Sequence, residues 1–435
     1  MRVRIKKSKI FGKIKAPASK SWTHRALILA ALAKGKSKII SPLASDDTEA
    51  TIDCLRKIGV KIKTGKNFWE VEGGNFLAPK EPLFCRESGT TLRLLTAVCA
   101  LVNGKCVLTG EKSLMGRPIK PLLEALKKLG VKCALRNNSI IVENNLAPLE
   151  TSSLMGFVGG KTEIRGDISS QFVSALLLIA PFAKKEVKIN LTTPLESKPY
   201  VLMTIEAQKK FGVKINYSKN LRRFWVRKQN YKPAEYLVEG DWSSAAPFLA
   251  AGIIGGKVEV ENLNSKSLQA DREIIKVFKK MNGRVKIRKD SVLAEEKESE
   301  LKPLKFNVRD CPDLFPIICI LAAIAKGKSE ILGIERLGIK ESNRLEEMRR
   351  GLKEMGIKAY LEKNRFFIEG GKPRGGIIDS EDHRIIMAFA ILGLAAEGKT
   401  IIKNAECVSK SFPEFFDVLN KITAWASCLR EHAVG

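Results

Sequence analysis

Residues 25–40 read RALILAALAKGKSKII: a helix apolar nearly all round, then a turn, then a short alternating strand. A helix without a polar face belongs in an interior. The same segment returns as LLTAVCALVNGKCVL at 94–108, SALLLIAPFAKKEVKI at 174–189 and APFLAAGIIGGKVEV at 246–260. Two further copies are IICILAAIAKGKSEIL at 317–332 and MAFAILGLAAEGKTII at 387–402. The turns fall at Gly35, Gly104, Lys184, Gly256, Gly327 and Gly398, with gaps of 69, 80, 72, 71 and 71 residues. A fixed period of this size marks a repeated supersecondary unit.

A second segment follows each copy: CLRKIGVKI (54–62), ALKKLGVKC (125–133), AQKKFGVKI (207–215), VFKKMNGRVKI (277–287) and GLKEMGIKA (351–359). Apolar and basic residues recur at helical spacing, so these helices are amphipathic and half exposed. A glycine stop and an alternating strand follow. The sixth copy, FFDVLNKI, lacks the glycine, and no strand is expected after it. The chain is therefore α/β, with six units that divide into two lobes of three. The boundary is expected near residues 229–240, in QNYKPAEYLVEGD. Neither a G-x-G-x-x-G after a first strand nor a G-x-x-x-x-G-K-[ST] occurs, which argues against one dinucleotide-binding sheet or a P-loop.

Composition narrows the function classes. The chain has 435 residues, 44% of them apolar, and a formal charge of +29. That length favours two or more domains with large cores. No window supplies the ~18–20 apolar residues of a spanning helix, so no membrane role is expected. MRVRIKKSKIFGKIK is basic with no apolar signal core after it. Nine cysteines are scattered without a CxxC, and there are only three histidines. This argues against a zinc site and for a reducing, cytoplasmic setting. The positive charge suits anionic partners. The basic residues are spread along the chain and aromatics are sparse, so small anionic substrates are favoured over nucleic acid.

Each apolar helix is preceded by capping residues: Ser19, Lys20, Ser21 and Thr23; Ser88, Gly89 and Thr90; Ser169 and Ser170; Asp241, Ser243 and Ser244; Asp310 and Asp313; Asp382. Such residues satisfy the open N–H groups of a helix start, and that end attracts phosphate or carboxylate. Two lobes facing each other would ring a cleft with six such ends. Lys20, Arg25, Arg93, Arg117, Lys340, Arg344, Arg384 and Lys410 lie near these starts. Arg93, Arg344 and Arg384 stand among apolar neighbours and need anionic partners.

APASKSWTHRALILAALA, ESGTTLRLL, MGRPI, GDISSQFVSALL, ESKPY, CPDLFPI, IKESNR, DHRIIMAFA and SKSFPEFF occur in this order. Together they make the chain resemble the enolpyruvyl transferase family, in its 3-phosphoshikimate 1-carboxyvinyltransferase (5-enolpyruvylshikimate-3-phosphate synthase) branch, over about residues 5–421. The resemblance implies two similar lobes, each of three βαβαββ units around buried parallel helices, an inside-out α/β barrel. It assigns 15–235 to the first lobe, on the shikimate 3-phosphate side. It assigns 1–14 and 236–435 to the second, on the acid–base and phosphoenolpyruvate side. It implies transfer of the enolpyruvyl group of phosphoenolpyruvate to the 5-hydroxyl of shikimate 3-phosphate, in the shikimate pathway to chorismate and aromatic amino acids. No metal or organic cofactor is implied, and a cytoplasmic monomer is expected.

The carried-over roles are these. Lys20, Ser21, Arg25, Ser169, Ser170, Gln171, Ser197, Tyr200, Asp313 and Lys340 match the shikimate 3-phosphate contacts. Lys20, Gly89, Arg117, Gln171, Arg344, Arg384 and Lys410 match those to phosphoenolpyruvate. Asp313, Glu341, Lys20 and Lys340 match the catalytic group, with Asp313 as proton acceptor and Glu341 as a candidate for the C3 proton. Glu87 stands where the family usually has Asn, so its charge must point away or be paired. Asn343 replaces the usual Asp and would remove a partner from a neighbouring Arg. Arg336-Leu337-Gly338 departs from the commoner run before Lys340. The tail AWASCLREHAVG extends past the usual end of the family, with no role assigned. The competing readings are a UDP-N-acetylglucosamine enolpyruvyl transferase and a basic RNA-binding or RNA-end-processing protein. The ESGTT and SSQ motifs favour the shikimate branch over the former.

Overall fold

The computed structural model describes residues 1–144, 157–423 and 428–431. The chain forms two compact units, Ala18–Val238 and Met1–Pro17 with Glu239–Gly435. Helices come in pairs, the first buried and the second amphipathic. The first unit holds α1 (Lys20–Leu32) and α2 (Asp46–Lys57). Next come α3 (Gly89–Val98) and, after the single turn α4 (Lys112–Met115), α5 (Lys120–Lys128). The last pair is α6 (Ser170–Ile179) and α7 (Lys198–Lys210). The second unit holds α8 (Trp242–Gly255) and α9 (Ile274–Lys280), α10 (Phe315–Ile324) and α11 (Arg344–Glu354), and α12 (His383–Gly393) and α13 (Phe415–Ile422).

The apolar helices are interior as their composition demands. In α10 every residue from Phe315 to Ala323 is buried, and α12 is buried along its length. In the second unit α8, α10 and α12 pack on one another, and in the first α3 packs against both α1 and α6. Each helix pair belongs to a four-stranded sheet in which the first strand runs parallel to the second and the rest are antiparallel. In the first unit Gly35–Ile40 pairs parallel with Glu235–Leu237 and antiparallel with Phe68–Gly73, which pairs with Lys61–Thr64. Five more sheets repeat this order. This is the α/β fold expected, with three repeated units around buried helices in each lobe.

The segment around QNYKPAEYLVEGD is more ordered than its polarity implies. Tyr231 is buried and donates its hydroxyl to Leu178 O at 2.9 Å, and Glu235–Leu237 is the parallel edge strand just named. The amphipathic helices stop where a left-handed residue is needed, Gly130 at φ 93° after α5. After α9 the same place is taken by Asn282 at φ 65°, so the glycine of MNG is not the residue that turns.

Two expectations are corrected. The sixth unit does have its strand: Cys428–Glu431 pairs antiparallel with Arg2–Lys6, which pairs in turn with Lys399–Lys403. The start of the chain fills the position that a following hairpin strand occupies elsewhere, and the tail segment covers its free edge. The rest of AWASCLREHAVG lies outside the described residues. Ser19 makes no side-chain cap bond to the first apolar helix, and the fifth has no polar side-chain cap at all. It is entered through a 3-10 turn, Pro312–Leu314, whose proline has no N–H to satisfy. Asp310 and Asp313 therefore do not cap it, and Asp313 is free for an ion pair. Among the described residues no helix is long and apolar enough to cross a membrane.

Candidate active site

In the second unit one guanidinium organises the acidic residues. Arg344, the first residue of α11, is 0% exposed. Its Nε donates to Asp382 Oδ2 at 2.8 Å, its Nη1 to Asp313 Oδ1 at 2.7 Å and its Nη2 to Glu341 Oε2 at 2.7 Å. A planar fork with separate donors suits this three-way grip. Asp382 is itself fixed: it caps α12 by accepting from Arg384 N, and its own N–H donates to Ser380 Oγ. Asn343 caps α11 by accepting from Glu346 N at 3.3 Å. Asn343 is thus a helix cap and gives Arg344 no charge; Arg344 takes its carboxylates from Glu341 three residues before it and from Asp313 and Asp382.

Asp313 is the meeting point. Besides Arg344 it has Arg384 Nη2 at 3.5 Å and Lys340 Nζ at 3.7 Å. Burial pushes its carboxyl up, but Arg384, Lys340 and Arg344 together hold it well below the usual carboxylate range. Burial also lowers the Lys340 ammonium, against the attraction of Asp313. Arg384 stays raised despite burial because Asp313 and Asp271 face it. Lys410 donates to Glu381 O at 3.1 Å, one residue before the α12 cap. Arg336 is turned to Arg309 O at 2.6 Å.

In the first unit the predicted residues fall into two groups. Arg25, 3% exposed, donates to Thr204 Oγ1 (2.9 Å), Ser21 O (2.8 Å) and Tyr200 O (2.9 Å). All three acceptors are neutral, and burial lowers the guanidinium to about 10. Tyr200 N in turn donates to Ser197 O at 3.1 Å, and Ser197 holds a left-handed conformation at the start of α7. The other group gathers at the starts of α3 and α6. Gln171 donates to Thr90 Oγ1 at 2.9 Å and accepts from Arg93 Nη1 at 2.6 Å. A side chain added at Gly89 would meet Arg93 Nη1 at 3.0 Å and Arg117 Nη1 at 3.4 Å, so glycine leaves both guanidiniums their place. Ser169 caps α6 through Gln171 N, and Ser170 is buried beside it. Arg93 was expected to need an anion; one acceptor it meets is the Gln171 amide.

Lys20 pairs with Asp47 at 2.7 Å. Beneath it His24 Nδ1 meets Thr51 Oγ1 at 2.8 Å, and Thr51 Oγ1 meets Thr91 Oγ1 at 2.7 Å, which ties the starts of α1, α2 and α3 together. Burial, with Lys20 and Arg25 adding, drives the His24 imidazole well below its ordinary range, so it is neutral. Glu87 accepts from Ser113 Oγ at 2.8 Å. Asp47 and the positioning role of Asp382 were not read from sequence, although DD in the first turn of α2 and the capping D before HR are visible there. Among the described residues no cluster of His, Cys, Asp and Glu suits a metal ion.

Comparisons with known proteins agree with one another. The family model described as EPSP synthase (3-phosphoshikimate 1-carboxyvinyltransferase) matches residues 5–419. A protein of Dehalococcoides mccartyi named 3-phosphoshikimate 1-carboxyvinyltransferase is 42% identical over 425 residues, 97% of this chain and 98% of that one. One of the same name from Methanocaldococcus jannaschii is 41% identical over 426 residues, covering 96% and 97%. A solved structure of EPSP synthase from Acinetobacter baumannii is similar with a TM-score of 0.81 and 25% identity, covering 99% of this chain and 100% of that one. On these matches the chain belongs to the EPSP synthase (3-phosphoshikimate 1-carboxyvinyltransferase) family.

Proposed function

We infer that this chain is a transferase that moves the enolpyruvyl group of phosphoenolpyruvate to the 5-hydroxyl of shikimate 3-phosphate and releases phosphate. The hydroxyl oxygen adds to C2 while C3 gains a proton, giving a tetrahedral intermediate. The C2–O bond to phosphate then breaks and C3 returns a proton. Asp313 accepts the hydroxyl proton, and Glu341 exchanges the proton at C3. The observation that carries these roles is the Arg344 fork, which holds both carboxylates on one rigid group in a family named for this reaction. Lys340 lies beside Asp313, and its lowered ammonium can take part in proton movement. Arg25, Ser21, Ser169, Ser170, Gln171, Ser197 and Tyr200 bind shikimate 3-phosphate. Gly89, Arg117, Gln171, Arg344, Arg384 and Lys410 bind phosphoenolpyruvate, and Lys20 touches both. The chain acts as a monomer in the cytoplasm.

Phosphate release tests the reading. Turnover is expected with shikimate 3-phosphate plus phosphoenolpyruvate and not with UDP-N-acetylglucosamine in place of the first. Release only with the nucleotide sugar, or RNA binding at physiological salt without turnover, would overturn it. Glu341→Gln should lower kcat by roughly 10²–10⁴ with a smaller change in KM, the usual range for a lost acid–base group. An unchanged kcat would remove Glu341 from the proton path.

A further inference from the structure

His24 and Arg25 are neighbours on α1, yet their side chains part. Arg25 reaches Thr204 on α7 at 2.9 Å, and His24 Nδ1 meets Thr51 Oγ1 on α2 at 2.8 Å. From there hydroxyls lie end to end. Thr51 Oγ1 is 2.7 Å from Thr91 Oγ1, which is 2.7 Å from Ser88 Oγ and 3.2 Å from Asp47 O. His24, Thr51, Thr91 and Ser88 are each at most 1% exposed. Among the described residues His24 Nε2 is buried without a partner. A hydrogen there would be a stranded donor, a rarer defect in folded proteins than an unused acceptor. That excludes both the other tautomer and the imidazolium, and burial agrees in holding the imidazole well below its ordinary range. The hydrogen therefore sits on Nδ1 and is donated to Thr51. Thr51 passes its own on to Thr91, and Thr91 to Ser88 or to Asp47 O. The imidazole sets the direction of the whole chain.

The far end of the chain is the start of α3. Ser88 caps this helix by accepting from Thr91 N at 3.2 Å. The next residue is Gly89, where Arg93 and Arg117 stand, and then Thr90, which accepts from Gln171. We propose that His24 is a positioning residue for phosphoenolpyruvate: through Thr51 and Thr91 it fixes the Ser88 cap and with it the turn at Gly89 and Thr90. This rests on the reading of Gly89 and Arg117 as phosphoenolpyruvate contacts. Without the imidazole donor the three hydroxyls lose their common direction. The turn is then held less firmly, and the substrate must supply the missing order when it binds. His24 touches no substrate. Arg25, read as a shikimate 3-phosphate contact, is held by Thr204 and Tyr200 O of α7, outside the chain.

Steady-state kinetics of His24→Phe, His24→Asn and Thr51→Val test this. His24→Phe keeps a ring and removes both nitrogens. KM for phosphoenolpyruvate should rise about threefold to tenfold, the range of one lost buried hydrogen bond. KM for shikimate 3-phosphate and kcat per folded molecule should stay within about twofold. Asparagine places an amide nitrogen near the position of Nδ1, so His24→Asn should recover most of the loss. Thr51→Val breaks the same chain at its next link. It should match His24→Phe, and the double variant should add nothing further. Should His24→Phe fail to fold, Thr51→Val carries the test alone. A role confined to stability would lower the folded fraction and leave KM as it is. An unchanged KM for phosphoenolpyruvate, an equal rise in both KM values, or a loss that asparagine does not recover overturns the proposal. Arg117→Met separates the two readings. If it leaves KM for phosphoenolpyruvate unchanged, the assignment of that substrate falls and the proposal with it. If it raises KM while His24→Phe and Thr51→Val do not, only the proposal falls.

Discussion

Arg344→Met should remove both turnover and much of the stability of the protein. The substitution leaves Asp313, Asp382 and Glu341 without the shared donor that now lies 2.7–2.8 Å from each. Asp382 is 0% exposed and cannot recover solvent. Removing one partner from a buried ion pair typically costs about 3–5 kcal/mol, because the remaining charge is stranded. Part of the cost will be relieved by protonation, which gives the effect a pH sign. Asp313, which Arg344 helps to hold well below the usual carboxylate range, then rises toward that range, so the loss of stability should be full at neutral pH and shrink only as pH falls below about 4. Thermal unfolding followed from pH 7 to pH 3 or below checks this, and a loss that does not shrink at the acid end would contradict it. Turnover should fall by at least about 10³, since the same group fixes both proton-handling carboxylates. Arg344→Lys separates charge from geometry. One ammonium cannot reach three carboxylates with the spread of a guanidinium, so stability should return in part while kcat stays low.

The helices of this fold are legible because their environment is written into their composition. RALILAALA has no face to show water, and ALKKL has one, so buried and surface helices separate by pattern alone. Sheet closure is different in kind. Nothing in RVRIK identifies Lys399–Lys403 as its partner, nearly 400 residues away. CLRE, likewise, lacks the alternation that announces a strand, and it is defined by the edge it covers. The same division runs through the site. An arginine among apolar residues announces that it needs an anion, and Arg344 and Arg384 were legible on that ground. Which anion answers is a tertiary fact, and so Asp382 reads only as a helix cap, and Asp47 only as a charge in the first turn of α2. Asp271, buried in the turn before α9, is the opposite case, because its neighbours in sequence make it look exposed.

Arg25→Met should weaken shikimate 3-phosphate binding by about 10²–10³ while leaving the free protein as stable as wild type or more so. The two buried arginines differ in what surrounds them. Arg344 is raised well above its ordinary value by the carboxylates it serves, whereas Arg25 has only a hydroxyl and two carbonyls and is lowered to about 10 by burial. For a base the sign is clear. A folded value below the unfolded one means that the charged form costs stability throughout the neutral range, and the cost fades as pH rises beyond about 10. The difference corresponds to roughly 3 kcal/mol at pH 7, held in the free protein and released when an anion arrives. Methionine keeps much of the packing of the stem and removes the charge, though it leaves Thr204 and two carbonyls short of a donor, which offsets part of the gain. Calorimetric titration with shikimate 3-phosphate and thermal unfolding without it read the two effects separately. Lost affinity with an unchanged or raised Tm is the signature of a cation kept for a ligand. Unchanged affinity with a Tm lowered as far as in Arg344→Met would make Arg25 a structural strut between α1 and α7.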